Sequence, residues 1–128
     1  MAESKKQIVE KINKAFADNN PEEFLSNCTE DVVWTMVGEK TNNGKKAIRE
    51  WMASMKDMEA PKFTVDQIVA EGDSVVCYGD MSMKDESGKL GRYSYCDAYR
   101  FSGDKITELR SFIVKHKMEG EKSGQASA

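Results

Sequence analysis

The run Tyr93-Ser94-Tyr95-Cys96-Asp97-Ala98-Tyr99-Arg100-Phe101 is where this sequence comes nearest to chemistry. Side chains of a strand alternate between its faces, so Tyr93, Tyr95, Asp97, Tyr99 and Phe101 share one side, and Arg92, Ser94, Cys96, Ala98 and Arg100 the other. One carboxylate then stands among aromatic rings. If that side lines an enclosed hollow, desolvation disfavours the charged form, and Asp97 becomes an acid or hydrogen-bond donor with Tyr95 or Tyr99 assisting. The same residues also admit a structural role, a carboxylate bonded to a tyrosine hydroxyl while the rings pack the interior.

Other residue types narrow the chemistry. Trp34, Met36, Trp51, Met55, Met81 and Phe101 are the candidate ligand-lining residues; the flexible thioethers suit a flat apolar molecule and discriminate shape weakly. His116 is the only histidine and lies between two lysines at a strand end, where it is expected to be exposed and inert. Cys28, Cys77 and Cys96 are odd in number and show no CxxC spacing, which fits reduced thiols rather than a disulfide framework or zinc site. No glycine-rich loop follows a strand as a phosphate cradle requires. No metal and no cofactor are expected. Lys45, Lys46 and Arg49 form a small basic patch, read as a solvated helix face or a rim.

The elements that must position these groups follow from periodicity. Over residues 3–18, Ile8, Val9, Ile12, Ala15 and Phe16 recur at helical spacing with lysines opposite. Asn20 and Pro21 are an N-cap and first-turn pair that starts a short second helix. The β-branched and aromatic run 32–37 predicts a strand, followed by a polar loop over residues 40–44. Ala47, Ile48, Trp51, Met52, Met55 and Met58 trace a third helix, which Pro61 stops. From Lys62 the period becomes two, in four runs separated by turns at residues 71–73, 85–89 and 102–104. The expectation is an α+β domain over residues 1–117, with three N-terminal helices on an antiparallel sheet, and a disordered tail at 118–128.

With 128 residues, 32% charged and 39% hydrophobic, the chain has the size and composition of one globular domain. Its formal net charge of -3 supplies no basic field to attract nucleic acid. The apolar runs are far too short to span a bilayer, and the first ten residues hold no signal-peptide core, so neither a membrane nor secretion is expected and a cytoplasmic location is.

The order of elements, with the stretches Glu30-Asp31-Val32-Val33-Trp34, Gly44-Lys45-Lys46-Ala47-Ile48-Arg49-Glu50-Trp51, and Asp97-Ala98-Tyr99-Arg100-Phe101 followed by Gly103-Asp104-Lys105-Ile106-Thr107-Glu108-Leu109-Arg110, resembles the SnoaL-like branch of the ketosteroid isomerase and nuclear transport factor 2-like superfamily. The resemblance covers residues 5–115. It implies a cone-shaped domain whose strongly curved sheet wraps the helices around a pocket open at one end. Asp97 matches the aspartic acid that works protonated in ketosteroid isomerase. The tyrosine that accompanies it there lies on the first helix, whereas all four tyrosines here, Tyr78, Tyr93, Tyr95 and Tyr99, fall on strands. The general-base position is held by Met36, or by Thr35 in another register, and neither abstracts a proton at neutral pH. That argues against steroid-type allylic isomerisation and leaves Glu39 as the nearest carboxylate in sequence.

Two functions are compatible with this reading. One is an isomerase, lyase or cyclase for a hydrophobic small molecule, using Asp97. The other is a non-catalytic binding or dimerisation module of the same fold. On the opposite side of the sheet, Phe112 and Val114 need cover, which a homodimer through the outer sheet face would give, with Glu108 meeting an arginine across the interface.

Overall fold

The computed structural model describes residues 4–55, 61–85 and 87–117. The first helix, α1 (Lys5–Ala17), begins with a reciprocal cap in which Gln7 N–H donates to Ser4 Oγ at 3.1 Å and Ser4 N–H to Gln7 Oε1 at 2.9 Å. Its buried stripe is Ile8, Val9, Ile12, Asn13 and Ala15. A left-handed residue, Asn19, turns the chain, and Asn20 caps α2 (Pro21–Leu25), which buries Phe24 and Leu25. Gly44, also at positive φ, opens α3 (Gly44–Ala53), whose buried residue is Ile48. The helix ends at Ala53 with Ser54 as its C-cap, so Met55, expected on its face, lies in the turn after it and the helix does not run to Pro61; Met58 lies outside the described residues. The disordered tail expected at 118–128 lies outside them altogether.

The strands are β1 (Cys28–Met36), β2 (Lys40–Asn43), β3 (Lys62–Phe63), β4 (Gln67–Glu71), β5 (Ser74–Lys84), β6 (Leu90–Ser102) and β7 (Lys105–Lys115). They form one sheet in the order β2-β1-β7-β6-β5-β3, with β4 also paired to β5. The three expected turns join β4 to β5, β5 to β6 and β6 to β7, all antiparallel.

Four features of the sheet depart from the sequence expectation. Residues 40–43 are not a loop but an edge strand, antiparallel to β1 from Val33↔Asn43 to Met36↔Lys40; a short, charged edge strand of this kind supplies backbone partners without inviting further pairing. The sheet is mixed, not antiparallel, because β1 and β7 run parallel, Trp34 opposite Leu109 and Met36 opposite Ser111. A parallel pair needs a long connection, and here it is everything between the first and last strands. The first of the four period-two runs is split into β3 and β4. Both pair with β5, and the chain between them crosses close over Gly79: Thr64 N–H donates to Asp80 O at 2.9 Å and Asp66 N–H to Tyr78 O at 2.8 Å.

Lastly, the sheet is not strongly curled. Bulges are what bend a sheet sharply, and β5 and β6 pair without interruption from Ser74↔Arg100 to Lys84↔Leu90. Among the described residues, register shifts occur between Cys28 and Val33 and between Arg100 and Phe101.

The helices cover one face of the sheet. Between the layers sit Val9, Ile12, Phe24, Leu25, Val32, Ile48, Val75, Ile106 and Leu109, all nearly or fully inaccessible to solvent. This closed half of the interlayer space holds the remainder of the chain around a second, incompletely filled half.

Candidate functional site

That second half is a hollow of about 290 Å³ between α1, α3 and the inner face of β1, β5, β6 and β7. Its apolar wall is aromatic and thioether. Trp34 of β1 meets Trp51 of α3 edge-on at 5.1 Å between ring centroids, and Phe16 of α1 lies 5.7 Å from Trp34. Phe63 meets Tyr95 edge-on at 6.0 Å. Met36, Met52, Met55, Met81 and Met83 complete the wall. Lys40 stands 5.9 Å over the Trp51 ring, a cation on the outer flank of this cluster.

The polar residues of the wall come from different elements, and besides Asn19 and Lys84 they are four. Asn13 projects from the buried stripe of α1, 7% exposed. Tyr95 and Asp97 come from the inner side of β6, and Ser111 of β7 is paired directly opposite Asp97. Burial pushes the Asp97 carboxyl up to about 6, while hydrogen bonding from the Ser111 hydroxyl pulls the other way. Among the described residues no cation pairs with Asp97. Trp34 Nε1–H donates to Ser111 Oγ at 3.0 Å.

Tyr95 is differently engaged. Its hydroxyl donates to the backbone carbonyl of Thr64 at 2.8 Å, and Cys77 Sγ lies 3.9 Å from the same oxygen. Asn13 Nδ2 in turn donates to Cys77 Sγ at 3.4 Å. Burial raises the Tyr95 hydroxyl well above the usual phenol range, so it is neutral throughout the physiological range. The thiol of Cys77 is likewise raised, chiefly by burial.

Of the residues singled out in the sequence, Asp97, Tyr95, Trp34, Met36, Trp51, Met55 and Met81 are brought together around the hollow. Tyr99 and Phe101 are not. Tyr99 is flanked by Val75 and Leu109 on the neighbouring strands, both fully buried, and belongs to the packed core. Phe101 lies beyond the register shift in β6, opposite Ile106, and is 3% exposed in the same core. Both face inward as alternation requires, but they point into the filled half of the interior.

Glu39 lies in the exposed turn after β1, off the wall, and so provides no base there. The basic patch is neutralised: Lys45 pairs with Glu30 at 3.4 Å, Lys46 with Glu50 at 3.1 Å and Arg49 with Glu22 at 2.7 Å. His116 is exposed, as expected, yet has partners: its Nε2 is 2.7 Å from Ser94 Oγ, which donates to Asp80 at 2.8 Å on the far side of the sheet. No three His, Cys, Asp or Glu side chains among the described residues are grouped to hold a metal ion. No helix among them is long and apolar enough to cross a membrane.

Asn13 and Ser111 were missed in the sequence. The signal was present in both cases as a polar residue on a buried periodicity: Asn13 between Ile12 and Ala15, Ser111 between Leu109 and Ile113.

Residues 9–109 match the SnoaL-like domain family. The chain belongs to that family. Among solved structures, this SnoaL-like domain is similar to an NTF2-like protein of unknown function from Cytophaga hutchinsonii, at 22% identity and a TM-score of 0.73, over 87% of this chain and 100% of that one. It is similar to an LEH-like epoxide hydrolase of M. tuberculosis at 16% identity and a TM-score of 0.75, over 85% and 81% of the two chains. A third, of ketosteroid isomerase-like fold, from Catenulispora acidiphila in complex with trimethylamine, shares 20% identity and a TM-score of 0.72 over 81% and 82%. At these identities the likeness is one of fold. No curated protein matches the chain significantly.

Proposed function

We propose that this SnoaL-like domain binds a flat, apolar small molecule in the hollow and that Asp97 moves a proton to or from it, as an isomerase, lyase or cyclase would require. One observation carries the reading: a carboxyl on the wall of an apolar hollow, with no cationic partner among the described residues, raised to about 6 by burial. A general acid or base works best when its pKa is close to the ambient pH. At pH 7 roughly one molecule in ten holds the proton, and an apolar ligand that displaces water from the wall raises that share. The role is therefore closer to a base that can return its proton than to the acid or hydrogen-bond donor of the sequence reading. Tyr95 assists by shape and by holding the neighbouring strand, since its hydroxyl hydrogen is given to Thr64.

A second reading, a binder without catalysis, is favoured by the wall's holding no second carboxylate among the described residues, with Thr35 and Met36 on β1 where a base would stand. The two separate on Asp97→Asn. A thermal-shift screen of flat apolar metabolites first identifies binders. Proton exchange or turnover of those binders is then expected to fall at least a hundredfold in the variant; binding without any turnover in either protein leaves only the binder.

We also propose a homodimer through the outer sheet face, where Phe112 and Val114 are 39% and 66% exposed. Sedimentation at micromolar concentration tests it, and a stable monomer removes it.

A further inference from the structure

A depression of about 410 Å³ lies on the outer side of the sheet, at the end next to edge strand β3 and beyond Phe112 and Val114. The strand register puts Lys62, Ser82 and Arg92 side by side on β3, β5 and β6. His116 follows on the far flank, its backbone N–H donating to Arg92 O at 2.8 Å. Phe63 and Met81, next in sequence to Lys62 and Ser82, line the inner hollow, so this row faces outward. Strands lie about 5 Å apart, which sets a long cationic side chain on each side of a short serine. On α3 every cation of the basic patch has a glutamate. Here, among the described residues, no carboxylate pairs with Lys62 or Arg92, and nothing bonds to the Ser82 hydroxyl. The carboxylate that lines the depression, Asp80, stands one row away and accepts from Ser94 Oγ at 2.8 Å. That contact takes the one Ser94 hydrogen, so His116 Nε2, 2.7 Å from the same oxygen, is the donor to it. Asp80 and His116 are thus tied together through Ser94, and two cations and a hydroxyl are left over.

We infer that this row binds the phosphate group of a small organic phosphate ester, at a site separate from the hollow. Two cations held on neighbouring strands repel each other, and an anion seated between them turns that repulsion into two attractions. Lys62 and Arg92 approach from the flanks and Ser82 from the floor. Three directions of approach suit the three terminal oxygens of a phosphate monoester better than the two of a carboxylate, and its second negative charge answers the second cation. Arg92 can engage two of those oxygens as a fork. Leu90, 52% exposed on the same depression, offers the organic part of the ester an apolar contact. The site stands or falls independently of the reading of the hollow.

The test is an NMR titration of the isotope-labelled full chain at pH 7.5 with phenyl phosphate, inorganic phosphate and benzoate. Phenyl phosphate is expected to shift the Ser82 and Arg92 amides with a Kd on the order of 1 mM, the scale of a few exposed charge contacts. Inorganic phosphate should bind about threefold more weakly for want of the Leu90 contact, and benzoate about fivefold more weakly for want of the third oxygen and second charge. Lys62→Gln combined with Arg92→Gln should weaken phenyl phosphate about fivefold or more. Asp80→Asn removes the opposing charge while keeping an acceptor for Ser94, and should tighten it about threefold. All three substitutions are on exposed side chains, and the remaining amide signals check that the fold is kept. No shift at Ser82 and Arg92, an unchanged affinity in the double variant, or benzoate binding as well as the ester would overturn the phosphate site. Inorganic phosphate binding as tightly as the ester would overturn the role of the organic part. Shifts confined to the amides around Trp34 and Asp97 would seat phenyl phosphate in the hollow and overturn the outer site while leaving the proposed function standing.

Discussion

Asp85 and Asp97 are the same side chain in two settings and shift in opposite directions. Asp85, in the exposed turn between β5 and β6, accepts from Ser87 N–H at 2.9 Å, Ser87 Oγ at 2.6 Å and Lys89 N–H at 2.9 Å on one carboxylate oxygen. These donors hold its carboxyl below the ordinary 3.8, the Ser87 hydroxyl most of all. Asp97 lies inside, with only the Ser111 hydroxyl to set against burial, and is pushed up to about 6. The difference is one of donor supply. The turn spends three donors on a carboxylate that water would have solvated anyway, whereas in the hollow the Ser111 hydroxyl alone does not offset the burial of Asp97. A carboxylate kept in that condition is available to a ligand.

The largest expected effect comes from disturbing the crossing whose Thr64 carbonyl receives the Tyr95 hydrogen. Gly79 lies on β5 beneath the β3–β4 crossing, and a Cβ there would overlap the Thr64 carbonyl oxygen, the atom that receives the Tyr95 hydrogen, while standing 3.1 Å from Asp66 N. Backbone cannot swing aside as a side chain can. Gly79→Ala is therefore expected to destabilise the fold by about 3 kcal/mol, the upper end for overpacking, read from urea unfolding. A change under about 0.5 kcal/mol, the size of an ordinary surface substitution, would mean that the crossing gives way freely and that Tyr95 is not held by it.

The second test turns on pH. Below the ordinary 3.8, Asp97 is protonated both folded and unfolded, and its burial costs nothing. As pH rises, the unfolded chain ionises first, and the folded protein follows only near 6. The stability contributed by the protonated form is thus fully present below pH 4 and lost as pH climbs through about 6, up to about 3 kcal/mol by pH 7. Asp85 has the opposite sign: its contribution is present above 3.8 and lost as pH falls through its lowered value. The measurement is the stability of Asp97→Asn relative to wild type across pH 3 to 8. The variant should gain on wild type as pH rises from about 4 to 7. A flat difference would mean that Asp97 is solvated in the fold, and the contrast with Asp85 would be gone.

What could be read from the sequence followed from local chemistry. The cap at Asn20, the amphipathic stripe of α1, the glycine turns and the alternation that turns Tyr95 and Asp97 inward each depend on residues a few positions apart. What could not be read depends on partners far along the chain. The strand at residues 40–43 forms because β1 offers an edge, and the parallel seating of β1 against β7 is decided by elements between them. Alternation gave Tyr99 and Phe101 the correct side of β6 but could not say which part of that side is packed and which part is hollow. The commitment of the Tyr95 hydrogen to Thr64 depends on a crossing that glycine at position 79 permits, and a lone glycine in a strand signals only a close approach, not what approaches.

The smallest effect concerns the inward hydroxyl of Tyr99. Tyr99 Oη is buried, and no described residue bonds to it. Burying a hydroxyl without a partner costs about 1 to 3 kcal/mol, so Tyr99→Phe is expected to raise stability by about 1 kcal/mol after allowing for small repacking losses. Since Tyr99 is off the wall of the hollow, binding of a molecule found in the thermal-shift screen should be unchanged. A loss of stability would show that the hydroxyl has a partner, of which a buried water is the simplest. Weaker binding at unchanged stability would put Tyr99 back within reach of the ligand, and Asp97 would then have a donor beside it after all. That outcome would erase the difference between the two aspartates at its source, because the hollow would supply what the turn supplies.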